Sequence, residues 1–177
     1  LRTRRQRQMC IRDRFGMAPV FGTSAELSLP QISIFVAAFY IGAMVFQFPV
    51  GWLSDRMDRR ILIVATSAIG FIAAVFAIFG ENIFIILLGS AFFVGGMSNP
   101  LYSLLIAYTN DFLEPDDMAS ASGGLLFLNG LGAISGPLFT GYLMTEIGPS
   151  GFFVILAALL GLLTVCLLYT SDAADES

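Results

Sequence analysis

The chain has 177 residues, of which 56% are hydrophobic and 12% charged, and its formal net charge is −4. It contains no lysine or histidine and only two cysteines. This composition lacks most of the nucleophiles and bases that hydrolytic catalysis uses. It also does not support direct use of ATP, which needs a glycine-rich loop with a lysine.

Both ends of the chain resemble a translated sequencing adapter. Arg4–Arg14 match one reading frame of a common transposase-end oligonucleotide, and Cys166–Glu176 match its reverse complement. We therefore expect residues 1–14 and 166–177 not to belong to the protein, and we exclude them from the prediction of the fold. The alternative interpretation is a basic N-terminal arm and an acidic tail. The native piece is then expected to be residues 15–165, a fragment of a reading frame.

This exclusion removes both cysteines and six of the nine arginines. We therefore predict no metal site, no disulfide, no cofactor and no nucleic-acid partner. The remaining arginines lie in one short segment and are Arg56, Arg59 and Arg60.

Long apolar runs follow in chain order. Each complete run approaches or exceeds the roughly 20 residues that an α-helix needs to cross the ~30 Å hydrocarbon core of a bilayer. A short stub at Phe15–Gly22 precedes them and is too short to span. The predicted spans are Ile32–Leu53, Ile61–Gly80, Ile83–Tyr108, Met118–Met144 and a fifth that begins at Gly151 and is truncated at Val165.

These runs are apolar on all sides, which is typical of helices rather than of the alternating strands of a barrel. The predicted fold class is an all-α membrane protein with five spans and the stub of a sixth. We expect the third span to be interrupted at Gly95-Gly96 and at Asn99-Pro100.

The ten residues 51–60 carry five charges and lie between two charge-free runs. They predict a tight turn at a membrane surface. Short arginine-rich loops are retained inside the cell, so the turn is expected on the cytoplasmic side. The predicted location is a bacterial cytoplasmic (inner) membrane, crossed several times.

This loop resembles the signature loop of the major facilitator superfamily of secondary transporters. The matching residues are Gly51, Leu53, Asp55, Arg56, Arg59 and Arg60. Asp58 departs from the pattern, because the family usually has a glycine at that position.

The resemblance implies one half of a two-half helical bundle. The signature loop can occur in either half, but the N-terminal half usually carries an arginine within the span that corresponds to Ile85–Gly96, and this chain has none. The chain also ends after the fifth span. Both points favour the C-terminal half, from a partial seventh to the twelfth helix. The run Gly132–Pro137 resembles a motif of the fifth helix and keeps the N-terminal half open.

The function implied by the resemblance is transport of a small solute by alternating access, in a cavity shared with a missing N-terminal half. The implied partners are the lipid bilayer, the solute and that other half. Two other classes remain as alternatives. A structural subunit of a membrane complex would have little need of Asp55, and a membrane enzyme would need embedded acids, histidines or serine-base pairs.

The signature loop predicts a cytoplasmic gate. Asp55 is expected to accept hydrogen bonds from a helix N-terminus, where partial positive charge favours a carboxylate. The arginines are expected to pair with acidic groups on neighbouring helix ends, which are Asp111, Glu114, Asp116 and Asp117. The simpler interpretation is that the arginines only fix the topology, and that Asp116 or Asp117 caps the helix that begins near Met118.

Polar residues inside spans form the second candidate site. Burying an unpaired polar group in hydrocarbon costs about 2–7 kcal/mol, so these side chains should face protein or a water-filled cavity. The candidates for the substrate cavity are Tyr40, Gln47, Asn99, Tyr102 and Asn129, with Ser103 on the same helix face as Asn99. Hydrogen bonds between helices are the alternative explanation.

Small residues and prolines predict helix packing and bending. Gly132 and Gly136 are four residues apart and present one smooth helix face. Pro137 and Pro100 each remove a backbone donor and permit a bend.

Overall fold

A computed structural model describes residues 17–111, 113–114 and 117–175. The predictions that concern residues 1–14, Phe15, Asp116 and Glu176 therefore lie outside the described residues.

The described residues form six α-helices joined by short turns. They are α1 (Met17–Ser24), α2 (Leu29–Ser54), α3 (Arg59–Phe79), α4 (Phe84–Asn110), α5 (Met118–Ile147) and α6 (Gly151–Asp175). Five of them, α2 to α6, are long and apolar enough to cross a membrane. The five predicted spans and the short leading helix are thus confirmed in type and order.

The prediction of an interrupted third span is wrong. Helix α4 continues through Gly95-Gly96 and through Asn99-Pro100 without a break. A proline in a helix removes only one backbone donor, and the bonds on either side can hold the helix together. Pro49 in α2 and Pro137 in α5 also lie inside continuous helices. Helix α6 continues past Val165, the expected end of the native piece, through the apolar residues Cys166–Tyr169 and ends at Asp175.

Local chemistry sets the helix ends. At the start of α2, the Ser28 backbone N–H donates to Gln31 Oε1 at 2.9 Å in a capping box, and a proline follows in the first turn. Asp58 caps α3 by accepting a hydrogen bond from the Arg60 backbone N–H at 2.9 Å. Asp117 stands at the N-cap position of α5, but its side chain makes no capping hydrogen bond, so the predicted capping role is wrong for it. Its backbone there is helical rather than extended, unlike a typical N-cap.

The closest helix packing is between α2 and α4. A Cβ atom on Gly42 would overlap the carbonyl oxygen of Phe92, and one on Gly95 would overlap the carbonyl oxygen of Phe39. Small residues let two backbones approach in this way, and close packing stabilises helix pairs in lipid. Helix α4 also packs on α3, which in turn packs on α6.

Two apolar clusters fill the bundle. One lies away from the 51–60 loop, and its aromatic rings contact each other: the Phe21 ring centroid is 5.2 Å from that of Phe35 and 5.1 Å from that of Phe153. The other lies near the loop and includes Leu62, Ile63 and Leu104. Helix α5 takes little part in either cluster; it contacts mainly α6 and is almost entirely exposed within the described residues.

The close contact at Gly95 predicts that two glycine-to-alanine substitutions in α4 have different effects on stability. Gly95→Ala should destabilise the bundle by about 1–3 kcal/mol, because the new methyl group meets backbone that cannot move aside. Gly89→Ala should be neutral or stabilising by up to about 1 kcal/mol, because a Cβ there has no neighbour within 4 Å and alanine favours the helix. Unfolding by SDS in mixed micelles, followed by circular dichroism, measures both. Equal midpoints for the two variants would contradict the prediction.

Candidate functional site

The turn between α2 and α3 is tight and bonded. The backbone N–H groups of Arg56 and Met57 both donate to the Leu53 carbonyl, at 3.1 and 3.0 Å. Asp58, the residue that departs from the family pattern, supplies the N-cap of α3. The departure is therefore accommodated, because the carboxylate at this position satisfies a backbone donor at a helix start.

Arg59 joins the loop-side ends of α3 and α4. Its guanidinium Nη1 lies 2.7 Å from Asp111 Oδ1 and donates to the Ala107 carbonyl at 2.8 Å. Asp111 follows the last residue of α4, so the cation also faces the negative end of that helix. Of the acidic groups considered from the sequence, Asp111 is the one that contacts an arginine among the described residues.

The other two arginines have different contacts. Arg60 donates from Nη2 to the Leu167 carbonyl in α6 at 2.9 Å. The guanidinium of Arg56 lies over the indole ring of Trp52, 3.8 Å from its centroid. The loop thus directs one arginine to α4, one to α6 and one along the outside of α2.

The sequence predicts that Asp55 accepts a hydrogen bond from a helix N-terminus. No such hydrogen bond is made within the described residues. Asp55 stands at the C-cap position of α2, and Asp58 occupies the position that reaches the start of α3. The Asp55 side chain is exposed and makes no hydrogen bond or ion pair with any residue that the structure describes. It remains available to a group outside the described residues.

A cavity of about 340 Å³ opens between α2 and α4 beside the loop. Its polar lining comes from Gln47, Ser54, Asp55, Arg59 and Ser103, and Gly51 and Pro100 also line it. The structure therefore brings signature-loop residues and one predicted cavity residue, Gln47, into the same space.

A second cavity, of about 330 Å³, lies between α4 and α5. Tyr102 and Asn129 line it together with leucine and isoleucine side chains. Tyr40 and Asn99 line neither cavity, and both are exposed. The five residues predicted from the sequence to share one substrate cavity are thus distributed over two cavities and the open surface.

The predicted packing at Gly132 and Gly136 is not made by the part of the chain that the structure describes. A Cβ atom at either position would have no neighbour within 4 Å. Helix α5 instead approaches α6 at another place, where a Cβ on Gly151 would lie 2.8 Å from the Leu143 carbonyl carbon. Among the described glycines, Gly42 and Gly95 lie nearest to the backbone of a neighbouring helix.

One buried polar contact is not among those predicted from the sequence. The Thr164 hydroxyl in α6 lies 2.9 Å from Ser67 Oγ in α3, and Ser67 is fully buried. The signal was present, because both are polar residues within apolar runs and unpaired polar groups are costly there. This contact links α6 to α3 inside the bundle.

A bundle of five span-length helices with cavities between them defines a multi-pass helical membrane protein. A family model of the Major Facilitator Superfamily matches residues 13–177. The chain therefore belongs to the major facilitator superfamily, a family of transporters rather than enzymes.

The relatives that the chain resembles are bacterial proteins. It is 34% identical over 145 residues to the uncharacterized MFS-type transporter YfkF of Bacillus subtilis (strain 168), a match that covers 78% of the chain and 35% of that protein. It is 22% identical to the MFS-type transporter YcaD of Escherichia fergusonii and 24% identical to Ent638_1421 of Enterobacter sp. (strain 638), each match covering 81% of the chain and 37% of the relative. The chain thus spans little more than a third of the length of these relatives. No solved structure matches it.

The Arg59 contacts predict unequal effects of two substitutions. Asp111→Asn should cost about 0.5–1 kcal/mol, because the ion pair is partly exposed and screened. Arg59→Ala should cost more, about 1–2 kcal/mol, because it also removes the donor to the Ala107 carbonyl. Detergent unfolding of both single variants and the double variant measures the coupling, which should fall with added salt. Arg56→Ala is the control, since Arg56 has no acidic partner among the described residues. A loss of stability in Arg56→Ala equal to that in Arg59→Ala would contradict the role given to the Arg59 contacts.

Proposed function

We propose that this chain is the C-terminal half of a secondary transporter that moves a small solute across a bacterial cytoplasmic membrane by alternating access. The observation that carries the proposal is the cavity between α2 and α4, which signature-loop residues and polar span residues line together. Transporters of this kind bind their solute near the bilayer midplane, between two repeated bundles.

The choice of half rests on the sequence of α4. The stretch Ile85–Gly96 carries no charged residue, whereas the resemblance leads us to expect an arginine there in an N-terminal half. In this proposal residues 15–165 form the bundle of one half, and the wall of the solute cavity is completed by the other.

The reading frame that carries this chain tests the choice of half. We expect its upstream extension to encode six further spans with a second signature-like loop after the second of them. An extension without spans upstream, together with six spans downstream, would assign the chain to the N-terminal half instead.

The orientation follows from the basic residues of the loop. Arg56, Arg59 and Arg60 are the basic residues between positions 17 and 175. Because short basic loops stay inside the cell, we place the 51–60 loop on the cytoplasmic side. The cavity between α2 and α4 then opens toward the cytoplasm.

The proposed gate depends on the contrast between Arg59 and Asp55. Arg59 is held within this half by Asp111 and the end of α4, so it is poorly placed to form and break contacts with another domain. Asp55 lines the cavity, is exposed, and has no partner in the described part of the chain. We therefore assign Asp55 to the contact with the other half. A contact of this kind, present in only one state, biases the equilibrium between inward-open and outward-open forms.

The solute would meet neutral hydrogen-bonding groups on this wall. Gln47 and Ser103 line the first cavity, and Tyr102 and Asn129 line the second. These groups can donate and accept hydrogen bonds at fixed positions, which orients a small polar or amphipathic solute. Tyr40 and Asn99, on the open surface, would join them only where the other half completes the wall.

Asp55→Asn tests the gate without knowledge of the solute. A single cysteine replacing Ser103 in the full-length protein, with other cysteines removed, reports how open the cavity is to a membrane-impermeant maleimide in inverted vesicles. Loss of the Asp55 contact should favour the inward-open state and raise the labelling rate about tenfold, which corresponds to about 1.4 kcal/mol.

Asp58→Asn is the matched control, because it removes the same charge from the same loop while asparagine still caps α3. Its labelling rate should equal that of the parent protein. An unchanged rate in Asp55→Asn, or equal increases in both variants, would contradict the gating role.

A further inference from the structure

Trp52 and Arg56 form a stacked pair on the outside of α2, next to the membrane surface. The guanidinium lies 3.8 Å from the indole centroid, the indole is 49% exposed, and Arg56 is exposed. Tryptophan at the end of a span favours the interface between hydrocarbon and headgroups. The pair therefore places a fixed positive charge at headgroup level.

Arg56 differs from the other two arginines of the loop in what it faces. Arg59 donates to the end of α4, and both Arg59 and Arg60 are partly buried, whereas Arg56 is exposed. Arg56 has no acidic partner among the described residues. Stacking uses the face of the guanidinium and leaves the N–H groups in its plane available, in the geometry that suits a phosphate.

An exposed apolar strip runs along α2 from this pair toward the membrane centre. It consists of Ile41, Val45, Phe48 and Trp52, which are three or four residues apart, share one face of the helix and are exposed. From Ile41 to Trp52 the helix rises about 16 Å, which matches one leaflet of a ~30 Å hydrocarbon core. None of the four lines the cavity between α2 and α4.

We propose that this surface binds an anionic phospholipid, with its phosphate on the Arg56 guanidinium and an acyl chain along the strip. Charge complementarity selects the headgroup, since a neutral zwitterionic lipid offers the same chains without a net negative charge. The strip lies on a different face of α2 from Gln47, Val50 and Ser54 of the cavity. Asp55, seven residues after Phe48, lies beside the strip, on the side where we propose that the other half packs.

Trp52 is the only tryptophan of the chain, so its fluorescence reports on this surface alone. The full-length protein, with any further tryptophans replaced by phenylalanine, is reconstituted in nanodiscs that contain a small fraction of lipid brominated near the carboxyl end of its acyl chains. Brominated phosphatidylglycerol is compared with brominated phosphatidylcholine at equal mole fractions. We expect phosphatidylglycerol to associate about fivefold more strongly, the size of effect of one arginine near an anionic surface.

Two substitutions distinguish a site from general attraction. Arg56→Gln should abolish the preference for phosphatidylglycerol, whereas Arg60→Gln, which removes the same charge from the same loop, should keep it. Circular dichroism checks that both variants keep their helices. Equal quenching by both lipids in the parent protein would overturn the proposal, as would equal loss of preference in both variants. Absence of quenching by either lipid would show that protein covers the strip, which also overturns it.

Discussion

The close crossing of α2 and α4 is the contact on which the rest of the structure depends. Gly42 and Gly95 let the two backbones meet, and no side chain larger than hydrogen fits at either point. This contact fixes the distance between the walls of the cavity that Gln47 and Ser103 line. It also brings the end of α4 close enough to the loop for Arg59 to reach Asp111. In lipid, where apolar side chains gain little by leaving one apolar medium for another, such close backbone packing is a main source of helix association.

The charged residues in the described part of the chain lie at the ends of helices or in the turns. Those of the 51–60 loop make different kinds of contact. Asp58 and Arg59 act within the bundle, one on the start of α3 and the other on the end of α4. Asp55 and Arg56 face away from these contacts, toward the cavity and toward the outside of α2. Neighbouring residues of one ten-residue loop thus face the bundle, the cavity between α2 and α4, and the outside of α2.

Much of this fold could be predicted from the sequence, because long apolar runs allow few structures other than helices in a membrane. The five spans, their order and the family followed from the runs and from the Gly51–Arg60 loop. The contacts did not follow in the same way. Asp55 and Asp58 are both acids near the start of α3, and only the position of the helix end shows which one caps it. Gly132 and Gly136 have the spacing of a packing motif, but Gly42 and Gly95, on different helices, make the contact. Which helices contact each other depends on how each helix is rotated about its axis and on the angle at which two helices cross. The pattern of apolar residues within one span determines neither.

The prolines inside continuous helices have a consequence for the polarity of the membrane interior. Pro49, Pro100 and Pro137 have no N–H group, so the carbonyls four residues earlier, at Val45, Gly96 and Ala133, lack their standard donor. Each of these oxygens is a hydrogen-bond acceptor held at hydrocarbon depth by the main chain rather than by a side chain. The bundle therefore keeps three main-chain acceptors within its spans, and they persist under any substitution that leaves the prolines in place.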